Sequence, residues 1–464
     1  MVTWTPDPTF YPSPKMAMDA PQEELAYVAM VSPEGSGKPD SVGVMDVFPD
    51  SDTYGELVGR LELPNVGDEL HHFGWNACSA SLCPNMPHPH VERRYLLFCG
   101  LRSSRIYVID TKPDPRNPTI KRIIEADELA EKAGYSRPHT VHCGPDAIYI
   151  NALGTPDGGG PGGVFSLDQE TFEVKGAWEA DRGEQHLSYD FVWHLLYDTM
   201  VTSEWGTPDM VESGVVPELL LGRKYGHQLH VWDVDSRKLK QTIDLGDDNQ
   251  MVLELRQARD PRKKYGFAGV VTNVENLSGS IWLWYEEGDD WKAKKVIEIP
   301  AEPADPEDLP PLLQGFGAVP PVVTDINLSL DDKFLYVSCW ATGEFRQYDV
   351  SDPFNPVLKD TVQVGGIIRK AGHPKAKGEL NGGPQMVEVS RDGQRIYITN
   401  SLYVAWDNQF YPEGVNGWAV KVNASPEGGM SLDEDFFMEF GEERVHQIRL
   451  QGGDSSSDTF CYPD

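Results

Sequence analysis

Five of the twelve histidines in this 464-residue chain sit in distinctive segments far apart in sequence. His71 and His72 open the run His71-His72-Phe73-Gly74-Trp75-Asn76. His139 and His142 lie in Arg137-Pro138-His139-Thr140-Val141-His142-Cys143, and His446 lies in Val445-His446-Gln447. Neutral imidazole is the commonest side-chain ligand for copper and zinc, so a buried metal site is the leading expectation. Each segment alone is a weak signal. On a strand, His71 and His72 would face opposite ways, as would His139 and His142, unless the backbone kinks or turns. By the same parity His446 shares a face with Arg444 and Ile448 while Gln447 points away. Cys143 is either a soft ligand or a small buried apolar residue. Glu204 and Asp325 stand at strand-like positions and are candidate bases, with strand pairing as the plainer role for each.

Such a site needs a fold that brings distant strands to one place. One pattern recurs about seven times: a β-rich run, a turn, then a second β-rich run ending near Asp. Clear copies are 328–340 with 343–353, 389–400 with 417–423, and 94–100 with 104–110. Further copies are 147–151 with 163–168, 199–205 with 228–233, 267–272 with 280–285, and 26–31 with 42–46. Period-2 alternation, β-branched and aromatic enrichment and Asp-Gly or Asp-Pro turns mark antiparallel strands. A period of tens of residues in an all-β chain predicts a seven-bladed β-propeller with loop insertions, a single domain over 1–464. The strand around 443–450 is expected to pair with the N-terminal strand and bring His446 beside the early histidines. The best helical candidate is Ala126–Lys132.

Composition narrows the chemistry. Forty Lys+Arg against 73 Asp+Glu give a formal charge of −33. Phosphate binding needs clustered cations, so nucleic acid and anionic membrane are excluded as partners. Acid spread along the whole chain fits a halophilic-type surface kept soluble at high salt. No run approaches the roughly 18 apolar residues of a spanning helix. The opening residues 1–8 carry neither a basic stretch nor an apolar one, so they do not read as a secretory signal. Six cysteines are too sparse for a disulfide framework, and Cys78 and Cys83 are not a CxxC pair. The expectation is a soluble cytoplasmic protein with mostly reduced thiols.

The His-His-Phe-Gly-Trp-Asn run, preceded by Asp68-Glu69-Leu70, resembles the selenium-binding protein family, which includes the methanethiol oxidases. The resemblance extends through His139-Thr-Val-His-Cys143, Ser203-Glu-Trp205, Thr324-Asp-Ile326, Gly382-Gly-Pro-Gln-Met386, Ala405-Trp-Asp407 and Gly452-Gly-Asp-Ser-Ser-Ser-Asp458. It implies a seven-bladed propeller and copper-dependent conversion of methanethiol, O2 and water to formaldehyde, hydrogen sulfide and hydrogen peroxide. It implies copper ligation by His71, His72, His139, His142 and His446. The cysteine implied for selenium in vertebrate members falls on Gly55, so selenium cannot attach there. Imidazoles suit copper, and an open coordination position would take a thiolate or O2. A carboxylate, Glu204 or Asp325, would accept the proton, and Trp75 would line a small apolar pocket or pack its blade.

Two readings follow: a copper-dependent thiol oxidase acting on a small thiol with O2, or a non-catalytic metal- or selenium-binding propeller serving as carrier or interaction scaffold. Inward imidazoles favour the first. A calcium-dependent lactonase-like propeller would need carboxylates as its main ligands and fits less well.

Overall fold

A computed structural model describes residues 5–83, 88–144 and 146–464. The first four residues of the N-terminal stretch read above for targeting therefore lie outside the description. Seven four-stranded antiparallel sheets follow one another around a ring. Blades 2 to 7 run outward in chain order, starting from the innermost strands Leu70–Trp75, Ser136–Cys143, Phe191–His194, Asn249–Gln257, Val323–Leu328 and Val387–Val389.

Blade 1 is composite. Its three outer strands, Leu25–Val31, Ser41–Asp46 and Leu57–Glu62, come from the start of the chain, and its innermost strand is Arg444–Leu450. That strand pairs antiparallel with Leu25–Val31, from Ala26 opposite Leu450 to Val31 opposite Arg444. The ring is thus closed by hydrogen bonds between the two ends of the chain, as expected. Outside the seam, Arg60 donates two hydrogen bonds to Glu443 at 2.8 and 2.6 Å.

The seven repeated strand pairs read from sequence are the two middle strands of each blade, such as Phe334–Cys339 with Glu344–Asp349. Middle strands are covered by a neighbouring blade on each face, and Phe334–Cys339 is buried throughout. The core is accordingly divided. Separate apolar clusters fill the gaps between neighbouring blades, such as Tyr27, Val44, Phe73 and Phe98 between blades 1 and 2. Phe267, Leu283, Ile326 and Leu335 fill the gap between blades 5 and 6.

Few residues are helical. The expected helix is Ala126–Ala133, ended by Gly134 at φ +75° in the left-handed conformation that glycine adopts freely. Long insertions gather on one face. One, within blade 4, carries Pro208–Val211 and Pro217–Leu221; another, between blades 5 and 6, carries Pro311–Gln314; a third, within blade 7, carries Val404–Phe410. Their side chains merge into one apolar cluster with Tyr189, Trp205 and Trp340.

The opposite face is crossed by residues 452–464. Ser455 donates its N–H to Val389 O, and Ser456 Oγ donates to Glu388 at 2.8 Å. Asp458, fully buried, accepts from Arg93 at 2.6 Å and from Arg391 at 2.7 Å. The cysteines correct the expectation of mostly reduced thiols. Cys78 is paired with Cys143, and Cys83 with Cys461. Sparse spacing hid this because the partners lie 65 and 378 residues apart and meet only in the folded ring. The pairing also removes Cys143 as a metal ligand. No helix among the described residues is long and apolar enough to cross a membrane.

Candidate metal centre

The innermost strands line the central channel, and five of them carry a bulge at comparable positions. In blade 2, Leu70 pairs with Gly100 but Phe73 with Phe98, so one extra residue is accommodated at His71-His72. In blade 3 the same slip falls between Pro138 and Val141, at His139-Thr140. In blade 1 it falls at His446-Gln447, where Ile448 opposes Val28 but Val445 opposes Met30. Blades 5 and 6 slip at Leu253-Glu254 and at Thr324-Asp325. A bulge breaks the alternation of side chains, which is the kink that lets adjacent residues turn toward one point. His71 and His72 therefore share a site that ideal strand parity forbids.

Four imidazoles converge. The rings of His71 and His446 stack with centroids 3.8 Å apart, and those of His72 and His139 lie 4.0 Å apart. His71 is 4.8 Å from both His72 and His139. Ligand nitrogens of His71, His72 and His446 all lie within 4.8 Å of one another. The four are buried, none more than 3% exposed. Burial, with the neighbouring imidazoles adding to it, holds His71 and His72 well below the usual histidine range. His139 is lowered to about 3 by burial and by His446, and burial lowers His446 to about 4. The cluster is neutral at physiological pH, the state in which imidazole binds a metal.

The tautomers point the same way. His446 Nδ1 donates to the Ser401 carbonyl at 2.8 Å, which leaves Nε2 with its lone pair. Nε2 of His72, His139 and His446 is buried without a hydrogen-bond partner. Orphaned buried nitrogens cost free energy unless something binds them, and a carbonyl behind the second ring nitrogen is the usual support of a ligating histidine. The donor set therefore fits copper: soft enough for a transition metal, neutral, and supplied by nitrogen alone.

His142 does not join this group. Its Nε2 lies 3.8 Å from Asp190 Oδ1, and it borders a small cavity with Trp193, Arg256, Ser456 and Thr459 beneath the C-terminal crossing. Burial lowers its pKa, opposed by Asp190. Three residues further along the strand than His139, it sits at another level of the channel.

The two carboxylates expected from sequence are placed differently. Glu204 is engaged in blade 4: Oε1 accepts from His230 Nε2 at 2.8 Å, and Oε2 accepts the backbone N–H groups of His227 and Gln228. Its neighbour Trp205 faces the site instead, with its ring 6.5 Å from His139. Asp325 is buried in the channel wall, accepting from Arg256 at 3.1 Å and from the Val387 N–H at 2.7 Å, and burial raises it to about 6.

The carboxylate nearest the imidazoles is Glu254, with Oε1 4.0 Å from His72 Nε2. It accepts from the Tyr189 hydroxyl at 3.2 Å and from Arg256 at 3.0 Å. Burial, reinforced by Asp190, raises it to about 8. Sequence reasoning passed it over. The available signal was Glu254-Leu255-Arg256, two charges on one face directly after the apolar run Met251-Val252-Leu253. Aromatic rings complete the surround. Tyr189 lies 4.3 Å from His139, and Tyr403 lies 5.9 Å from His71. Trp75 packs its blade instead, edge-on to Tyr27, with its N–H donated to the Leu450 carbonyl at 3.2 Å.

The family profile described as 56kDa selenium binding protein (SBP56) matches residues 4–461. The chain belongs to this family. Among its SBP56 relatives, a methanethiol oxidase of Xenopus laevis is 40% identical over 476 residues, covering 97% of each chain. Selenium-binding protein 3 of Arabidopsis thaliana is 38% identical, covering 97% of this chain and 96% of its own. The crystal structure of a hypothetical selenium-binding protein from Sulfolobus tokodaii superposes with a TM-score of 0.96 at 56% identity, over 98% of this chain and all of that one. A periplasmic gluconolactonase of Pseudomonas aeruginosa superposes at a TM-score of 0.54 with 13% identity, which shows a shared fold alone.

Proposed function

We propose that this SBP56 chain is a copper-dependent thiol oxidase that converts methanethiol, O2 and water to formaldehyde, hydrogen sulfide and hydrogen peroxide. The observation that carries the reading is the cluster of four buried neutral imidazoles, three with orphaned Nε2 atoms. The named activity of the amphibian relative supports the substrate. His71, His72 and His446 would hold the metal, with His139 beside them. When bound, copper supplies Lewis acidity toward the thiol and the one-electron chemistry that O2 requires.

The chain's own residues do the rest. Tyr189, Trp205 and Tyr403 exclude water and present ring faces and edges to a methyl sulfide group. Glu254, rather than Glu204, is the carboxyl beside the cluster; raised to about 8, it takes up the thiol's proton through its ionised fraction, which grows as pH rises through that value. Tyr189 and Arg256 fix its carboxyl group, and Asp325 shares the Arg256 guanidinium one step further along the channel.

The carrier reading is less well supported. Gly55 offers no thiol, four cysteines are paired, and Cys99 and Cys339 are buried with their thiols pushed up by desolvation, Cys339 to about 12. Cytoplasmic residence stays part of the proposal. Each paired cysteine is at most 7% exposed and so is shielded from the reductants that dismantle accessible disulfides. The test is copper content and methanethiol turnover. Wild type and His142→Ala should hold one copper per chain, and His72→Ala and His446→Ala should lose it with turnover. Wild type that takes up no copper and never consumes thiol would sink the reading.

A further inference from the structure

On the face carrying the insertions, a pocket of about 50 Å³ opens between Pro217–Leu221, Pro311–Gln314 and Val404–Phe410. Leu220, Met251, Leu313, Val322, Trp406 and Phe410 line it, and Thr272 supplies the sole polar side chain apart from the Trp406 indole N–H. That N–H is already donated to the Val211 carbonyl at 3.1 Å. No charged residue lines the pocket. At its rim Leu221 and Phe316 are 53% and 41% exposed.

A column of packed aromatic rings stands between the pocket and the metal centre. Trp406 packs on Trp205 at 5.6 Å, Trp205 on Tyr189 at 5.5 Å, and Tyr189 on His139 at 4.3 Å. Pocket and ring column belong to one apolar cluster with Val215, Leu313 and Trp340. The remainder of the protein is strongly anionic, at −33. That field disfavours thiolates and other anions, whereas an uncharged sulfur compound meets no charged side chain in this pocket.

We propose that this pocket is a binding site for uncharged aliphatic thiols and sulfides, and that it serves as the vestibule from which the substrate reaches the imidazole cluster. Its purpose rests on the oxidase reading, but its binding chemistry does not. A pocket lined almost wholly by apolar side chains holds a small alkyl group by area burial, so affinity should rise about fourfold for each added CH2. The Trp406–Trp205 contact is the gate between vestibule and centre.

The test begins with copper-free protein and an inert probe. Ligand-observed NMR titration with dimethyl, ethyl methyl and diethyl sulfide should show saturable binding that tightens along the series. Anionic 3-(methylthio)propionate should not bind. Leu313→Trp should weaken diethyl sulfide at least tenfold, with Leu220→Trp as a second filling variant on a separate insertion. In the copper-loaded enzyme either variant should raise KM for methanethiol while copper content and kcat hold. Absence of saturable sulfide binding, or equal binding in wild type and both variants, would overturn the proposal. So would dimerisation of wild type that both variants abolish, since a second copy would then be the occupant. Loss of the oxidase reading alone would show as sulfide binding without turnover.

Discussion

Copper affinity should be nearly independent of pH between 7.5 and 5, and the reason lies in the burial of the imidazoles. A proton competes with a metal for the same lone pair, so a site of ordinary histidines weakens as pH falls through their pKa. For a ligand with the unperturbed value of about 6.5, only about one molecule in 30 is neutral at pH 5. Three such ligands would lose roughly 3 × 10⁴ in affinity. Here His446 is lowered to about 4 and His139 to about 3, and His71 and His72 lie well below the usual range. At pH 5 His446 is then still about nine-tenths neutral, and the proton costs the site less than about twofold. The sign follows: because the pKa values are depressed, competition begins only below about pH 4. Affinity would be read from copper titrations against a competing chelator at pH 7.5, 6 and 5, with far-UV circular dichroism to verify the fold at each pH. A fall of a thousandfold or more over that range in folded protein would refute the buried, neutral cluster and the ligand set built on it.

Two further outcomes follow from the C-terminal crossing. Asp458→Ala strands the guanidinium groups of Arg93 and Arg391, which are 0% and 5% exposed, and should cost about 3–5 kcal/mol. At a typical unfolding entropy per residue that lowers the calorimetric Tm by about 3–5 °C for a chain of this length; an unchanged Tm would mean that the tail is not held as described. In denaturant without reductant, only Cys99 and Cys339 should be alkylated, and all six cysteines after reduction. Mass spectrometry reads both states, and six modified cysteines without reductant would restore the reduced-thiol expectation.

Which parts of the propeller were legible depends on where each strand sits in its blade. The first middle strand of each blade is buried almost throughout, as Leu25–Val31 and Phe334–Cys339 are, so the pairs stand out as repeats even where an insertion parts them. Outer strands such as Val357–Gln363 are mostly exposed, and their alternation carries little contrast. Innermost strands are the hardest. Val323–Leu328 is buried throughout yet contains Asp325 and Asn327, because it faces a polar channel instead of a second apolar sheet. A search for apolar periodicity passes over the strands on which the chemistry is built.

The same geometry explains why the histidines were recognisable as a set but not divisible into ligands and bystanders. Strand parity, applied to His71-His72, allows one inward imidazole; the bulge supplies two. Applied to His139 and His142, parity separates them by face, whereas the structure separates them by level, with Asp190 as the nearest partner of the lower one. A bulge has no reliable sequence signature, since it is stabilised by what the neighbouring strand and the channel contents demand. Glu254 was hidden for the same reason. Its approach to His72 depends on the slip at Leu253-Glu254 as well as on the slip at His71-His72. Five bulges at one level argue that the ring is deformed locally for the site, because a blade needs none of them to pack against its neighbours. The innermost strands of blades 4 and 7 pair without a slip and supply none of the four imidazoles, so along the channel the deformation follows the site, which a rigid scaffold must hold in one geometry.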